Sequence, residues 1–106
     1  MWMDLDQASA YLERMAVDWR DGAPHGHLWP AKITSVKHRA VEAAWRVADR
    51  ALDLAGGFGV LPEAGLERML RDARLGRIHP TNSALTHEIV AKSALGIDLD
   101  EQPRWG

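Results

Sequence analysis

Cysteine does not occur among the 106 residues, so disulfides, thiolate metal sites and cysteine nucleophiles are excluded. Long apolar runs are missing as well. No stretch approaches the roughly 20 apolar residues of a membrane span. The opening Met1-Trp2-Met3-Asp4-Leu5-Asp6 carries acids where a signal peptide needs basic residues. These absences set the expectation of a cytoplasmic protein with no membrane span. No single sign of charge dominates: Lys and Arg number 13, Asp and Glu 15, for a formal net charge of -2. The basic residues are interspersed with acidic ones, so the clustered cations that nucleic acid demands are not there, and no nucleic-acid partner is expected. Strand-like alternation, internal repeats and low-complexity segments are also lacking.

What is present reads as an ordinary globular chain. It is 46% hydrophobic and 26% charged, which excludes intrinsic disorder. The length allows one domain and no second, with roughly two thirds of the unfolded surface buried at this size.

Periodicity predicts four helices, over about residues 5–20, 31–55, 63–75 and 83–95. In the first, Leu5, Ala8, Leu12, Met15, Ala16 and Trp19 share a face; Asp4 is placed to cap it, with Gln7 reaching back, and Asp21-Gly22 ends it. Pro30 suits the first turn of the second helix. There Ile33, Val36, Ala40, Ala43, Val47, Ala51 and Leu54 form one stripe, and the small alanines suit a central packing helix. Gly56 and Gly57 stop it. Pro62 and Glu63 open the third helix, with Leu66, Met69, Leu70 and Ala73 inward and an end near Gly76. Asn82 or Ser83 caps the fourth, whose apolar face is Leu85, Ile89 and Leu95, and Gly96 closes it. The fold class expected is all-α, an antiparallel up-and-down four-helix bundle.

Few motifs carry chemistry. Gly56-Gly57-Phe58-Gly59 follows a helix and not a strand, so it is no dinucleotide fingerprint. It is a helix-stop turn, or one that lets a ligand or another subunit approach the backbone. His87-Glu88 lacks the second histidine of a zinc-protease motif, position 91 being Ala. His25 and His27 lie in a Gly/Pro loop without a third ligand, so no metal is expected. Arg71, Arg74 and Arg77 place positive charge toward the end of the third helix, where it offsets the macrodipole. Trp2, Trp19, Trp29, Trp45 and Trp105 are many for so small a bundle; they pack against another chain or missing domains, or stand half-exposed at the bundle ends.

Taken in order and spacing, Val36-Lys37, Ala51-Leu52-Asp53-Leu54-Ala55-Gly56-Gly57-Phe58-Gly59, Glu63, Leu66-Glu67, Arg71-Asp72-Ala73-Arg74, Ile78 and Leu95-Gly96 resemble the C-terminal α-helical domain of the acyl-CoA dehydrogenase family. The resemblance covers about residues 35–97, and Leu5 to Arg20 look like the preceding helix of the same bundle. It implies that residues 1–106 are a single partial domain, without the N-terminal helical domain, the β-domain and the first bundle helix. Members of the family are FAD enzymes that introduce a double bond between Cα and Cβ of an acyl-CoA, a carboxylate taking the α-proton, and they are usually tetramers. The chain is then a C-terminal fragment or split subunit of such an oxidoreductase in fatty acid metabolism. It would supply FAD-site and oligomer-interface residues in a homo- or hetero-oligomer, and meet acyl-CoA only in a completed enzyme.

The resemblance also transfers residue by residue. Many members carry the catalytic glutamate in a Glu-Gly-Thr triplet whose positions here are Pro80, Thr81 and Asn82, so no catalytic residue is expected at Pro80. His79, beside it, is the weak substitute, because flavin monooxygenases of the same fold can use histidine. The cofactor contacts implied are Asp53, where members often have glutamine, with Gly56, Gly57 and Asn82. Alternatives to the dehydrogenase reading are a non-catalytic helical interaction module and a part of a flavin monooxygenase of this fold.

Overall fold

A computed structural model describes residues 1–102, which leaves Trp105 of the predicted tryptophan set outside the described residues. The described residues are all helical and contain no strand. Four helices occur: α1, Trp2–Arg20; α2, Trp29–Ala55; α3, Leu66–Ile78; and α4, Ser83–Leu95. Short 3-10 turns at Gly26–Leu28, Gly56–Val60 and Pro62–Ala64 join them.

Helix α2 is the element on which the others rest. It packs against α1, α3 and α4. Each runs opposite to it in sense. Asp4 at the start of α1 reaches Arg46 and Arg50 late in α2, while Trp19 near its end meets Trp29. The end of α3 meets Lys37 and Glu42. Along α4, His87 faces His38, and Ser93 shares a cavity wall with Pro30. So α3 follows the C-terminal half of α2 and α4 the N-terminal half, in relay.

Several local expectations are corrected by this packing. Asp4 does not cap α1, which starts at Trp2 with no side-chain cap. Its carboxylate instead takes Arg46 Nε at 3.0 Å, Arg50 Nη1 at 2.8 Å and the terminal ammonium at 3.2 Å. Three cations outcompete one backbone amide for the same two oxygens. These partners hold the Asp4 carboxyl below the usual carboxylate range, the Arg46 hydrogen bond foremost. Helix α2 begins at Trp29, two residues early, with Pro30 in its first turn.

Pro62 and Glu63 do not open α3. Gly65 takes φ +68, a left-handed conformation no helix continues through, so the helix starts at Leu66. Nor does Gly76 end it. Helix α3 continues to Ile78, and a Cβ at Gly76 would come within 3.1 Å of Val41 Cγ1. The glycine is there so that α3 can approach α2 closely. On α4 the covered residues are Thr86 and Ser93, whereas Leu85 and Leu95 are exposed. Small hydroxyl side chains let α4 lie close to α2; neither hydroxyl has a hydrogen-bond partner among the described residues.

The α1–α2 connection is tied by charge. Asp18 is buried, accepts from Arg14 Nε at 2.8 Å, and lies 2.7 Å from His25 Nε2. His25 packs edge-on to Trp29, which packs edge-on to Trp19. The hydrogen bond from His25 is the chief reason the Asp18 carboxyl sits below its ordinary value of 3.8.

The core is thin. Only Met15, Ala31, Val36 and Ala43 are buried apolar residues among those described. The accessible surface is 7687 Å². A compact monomer of this mass exposes roughly 5,900 Å² by size scaling, roughly 1,800 Å² less. The radius of gyration is 16.9 Å, and the molecule measures 49 × 39 × 17 Å. A compact domain of this length has a radius of gyration of about 13 Å. Three helices around α2 thus form an open bundle that leaves large apolar side chains such as Trp2, Met3, Trp19 and Leu54 exposed. No helix among the described residues is long and apolar enough to cross a membrane.

Two glycines separate packing from backbone freedom. A methyl at Gly59 would lie 2.9 Å from Ala55 Cβ and Leu52 Cδ1, while one at Gly57 meets nothing within 4 Å at an ordinary φ. Gly59→Ala should therefore lower stability by about 1–3 kcal/mol, and Gly57→Ala should raise it by about 0.4–1 kcal/mol, both read from urea unfolding.

The Asp18 carboxylate, with its pKa depressed, stabilises the fold above its unfolded value of 3.8 and loses that contribution as pH falls through the folded value. Asp18→Asn should unfold at lower urea than the parent chain at pH 7. The gap between the two should close progressively below pH 3.8.

Candidate functional site

Two turns carry the residues that sequence reasoning selected. The first closes α2. Gly56 sits at φ +57 and its amide returns to the carbonyls of Asp53 and Leu52, which terminates the helix. No atom lies within 4 Å of a Cβ built at Gly56 or Gly57, so the backbone here is open to an approaching group. Phe58 and Val60 flank it with exposed apolar side chains, and the Asp53 side chain is exposed one turn back. Gly59, the last residue of the motif and not among the implied cofactor contacts, is the buried member of the turn.

The second turn joins α3 to α4. Asn82 is the cap, its Oδ1 accepting from the Leu85 amide at 3.0 Å, which leaves Ser83 as the first helical residue. With Oδ1 committed to the helix, the amide NH₂ is what Asn82 can offer a ligand. His79 is exposed, and its Nδ1 lies 2.9 Å from the Pro80 carbonyl. A carbonyl only accepts, so Nδ1 carries the proton and Nε2 is left as the free acceptor of the neutral ring. Pro80 offers no side-chain acid or base.

The two turns do not converge. Lys37 reaches the second turn, donating from Nζ to the carbonyls of Gly76 at 3.0 Å, His79 at 2.9 Å and Thr81 at 2.7 Å. From Lys37 to Gly56 the chain climbs α2 by 19 residues, roughly 28 Å at 1.5 Å per residue. Asp53, Gly56 and Gly57 therefore form one group, and His79, Pro80 and Asn82 another. One chain does not bring both groups to the same atoms.

Between the turns, α2 and α3 are braced by residues the sequence reading did not assign to each other. Arg77 donates from Nε to Glu42 Oε1 at 2.7 Å, and its guanidinium lies 4.7 Å from the Trp45 ring centroid. Its role is a tertiary one, not only the offset of a helix dipole. Arg71 pairs with Glu67 on its own helix, at 3.4 Å. Burial pushes the His38 imidazolium below its ordinary value, with Glu42 pulling the other way. Sequence reasoning missed Lys37 as an anchor. The available signal was its position at helical spacing between Ile33 and Val41, a charge set between two apolar residues of one face.

No set of three or more His, Asp or Glu residues among those described is arranged to hold a metal. His25 of the predicted histidine pair is bonded to Asp18, and His27 stands exposed.

The described residues form an all-helical bundle with an open glycine turn and exposed apolar side chains. The family described as "Acyl-CoA dehydrogenase, C-terminal domain" matches residues 1–95. The chain belongs to the acyl-CoA dehydrogenase family and corresponds to its C-terminal helical domain. It is 38% identical over 95 residues to acyl-CoA dehydrogenase FadE12 of Mycobacterium tuberculosis, an alignment covering 90% of this chain and 24% of that protein. Against the mitochondrial very long-chain specific acyl-CoA dehydrogenase it is 54% identical over 37 residues in Mus musculus, 35% of this chain and 6% of the relative. Against the Homo sapiens protein the figure is 42% over 50 residues, 47% of this chain and 8% of the relative. The chain spans about a quarter or less of the length of these relatives. No solved structure matches.

Because only Oδ1 of Asn82 serves the helix, capping and ligand contact are separable. Asn82→Ala should cost about 0.5–2 kcal/mol, whereas Asn82→Asp keeps the acceptor and should leave stability within about 0.5 kcal/mol; urea unfolding of both variants reads the difference.

Proposed function

We propose that this chain supplies the C-terminal helical part of an FAD-dependent acyl-CoA dehydrogenase-like oxidoreductase, as a fragment or split subunit that is not active alone. The observation that carries the reading is the large exposed surface, much of it apolar side chain. A family domain with roughly 1,800 Å² of surface in excess of a compact monomer needs other polypeptide against it. The apolar groove between α1 and α2, about 300 Å³ and lined by Leu12, Met15, Trp19, Trp29, Ile33 and Val36, is where such contact is most favourable. Trp2 and Trp19 are exposed while Trp29 and Trp45 are half-buried, which supports an interface role for the first two.

The residues present fit FAD in part. Gly56 and Gly57 offer unobstructed backbone, and Asn82 offers an amide donor. Asp53 does not fit: its exposed carboxylate would repel a pyrophosphate. Bound FAD would accept the hydrogen removed from Cβ of an acyl-CoA in the completed enzyme. This chain holds no carboxylate at Pro80 to take the α-proton, so the proton acceptor would have to come from other polypeptide. The separation of the two turns, with roughly 28 Å of α2 between Lys37 and Gly56, suits cofactor contacts made to different subunits of an oligomer.

A second reading, a non-catalytic helical interaction module, is favoured by Pro80 and Asp53 together. Flavin fluorescence separates the two. FAD added to the chain with a polypeptide carrying the N-terminal helical and β-domains of a FadE12-like dehydrogenase should be quenched. Partner binding without quenching would leave the interaction module standing and remove the flavoprotein reading. Gly57→Ala, which the fold accommodates, should weaken FAD binding by about tenfold if the backbone there meets the cofactor.

A further inference from the structure

A lysine ammonium has three protons to place. At Lys37 all three find carbonyl oxygens, those of Gly76, His79 and Thr81, at 3.0, 2.9 and 2.7 Å. The acceptors lie 39 to 44 positions further along the chain. The Gly76 carbonyl belongs to the last turn of α3, where carbonyls lack intrahelical donors and the macrodipole leaves negative partial charge. Its donor four residues on would be Pro80, which has no N–H. Lys37 fills that place and two more. A compact point charge with three rotatable donors suits acceptors converging from three directions; the planar fork of arginine does not.

We infer that Lys37 is a positioning residue. It holds the turn from His79 to Asn82 in one conformation and so sets where the His79 Nε2 and the Asn82 amide stand. The fixing of the turn follows from the geometry; its use toward a cofactor rests on the proposed function above. Pro80 and Lys37 are thereby linked, since the proline that removes an acid-base group from the turn also removes the donor that Lys37 replaces.

The cysteine-free sequence gives a direct test. Lys37→Cys introduces a unique thiol. Alkylation with 2-bromoethylamine in urea forms an S–C bond with loss of bromide, and restores an ammonium on a side chain of lysine length. Three amides report on the turn: His79, bonded to the Leu75 carbonyl, and Thr86 and Leu85, bonded to the Asn82 backbone and side-chain oxygens. The Ala23 amide, bonded to the Asp18 carbonyl, is the remote control. In Lys37→Cys the three should exchange about tenfold faster or more, as loss of charge-assisted hydrogen bonds implies. Ala23 should not change, and alkylation should restore protection. Unchanged exchange at the three amides, an equal rise at Ala23, or no recovery on alkylation would each overturn the inference. Should the cysteine variant unfold, Lys37→Met keeps the aliphatic stem packed and reads the same amides.

The cofactor half is read in the complex with the partner polypeptide. Lys37→Cys should weaken FAD binding by about tenfold with partner affinity unchanged, and alkylation should reverse it. Unaltered FAD affinity beside a loosened turn would overturn the positioning role and leave the proposed function intact. A parent complex that takes up no FAD would overturn the proposed function itself, and the cofactor half of this inference with it.

Discussion

Close approach to α2 is the constraint on which the remaining structure depends. Its buried residues are Ala31, Val36 and Ala43, two of them alanine, so neighbouring helices can come near its axis. The neighbours match it with small groups of their own: Gly76 of α3 against Val41, and Thr86 and Ser93 of α4. Dispersion attraction falls steeply with separation, so small residues on both sides gain contact that larger ones would prevent. Such an arrangement satisfies α2 on several sides. The helices α1, α3 and α4 make no comparable contact with one another.

Charge then fixes what packing leaves loose. Lys37 gathers the α3–α4 turn, Asp18 ties the α1–α2 connection through Arg14 and His25, and Asp4 joins the start of α1 to Arg46 and Arg50. Lys92 holds the segment after α4 through the Leu99 carbonyl at 3.1 Å and pairs with Glu88. Exposed ion pairs on one helix, such as Arg71 with Glu67, contribute little. The long-range anchors differ from these because they join parts of the chain that no covalent cross-link holds, cysteine being absent.

The same geometry relates the family to the function proposed here. An open backbone at Gly56 and Gly57 lies far along α2 from the capped, lysine-held turn at Asn82. The exposed apolar surface and the separation of the two turns have one physical origin in the arrangement around α2. In the proposed function, further polypeptide both covers the exposed apolar residues and brings the separate turns to one ligand. Pro80 itself brings no acid or base to this turn.

Helix number and class, the stop at Gly56, a cap at Asn82 or Ser83 and the bounds of α4 were legible in the sequence by itself. Each follows from backbone preference or from side chains three and four residues apart, which are local quantities. The family was legible too, through the order of its short motifs. Tertiary structure alone decided that Asp4 leaves the helix start for two arginines, that Gly76 lies inside α3, that Thr86 and Ser93 are covered while Leu85 is exposed, and that Lys37 is an anchor. Those outcomes depend on which group stands opposite, and a residue's opposite number is set by helix packing across tens of residues, not by its neighbours in the chain.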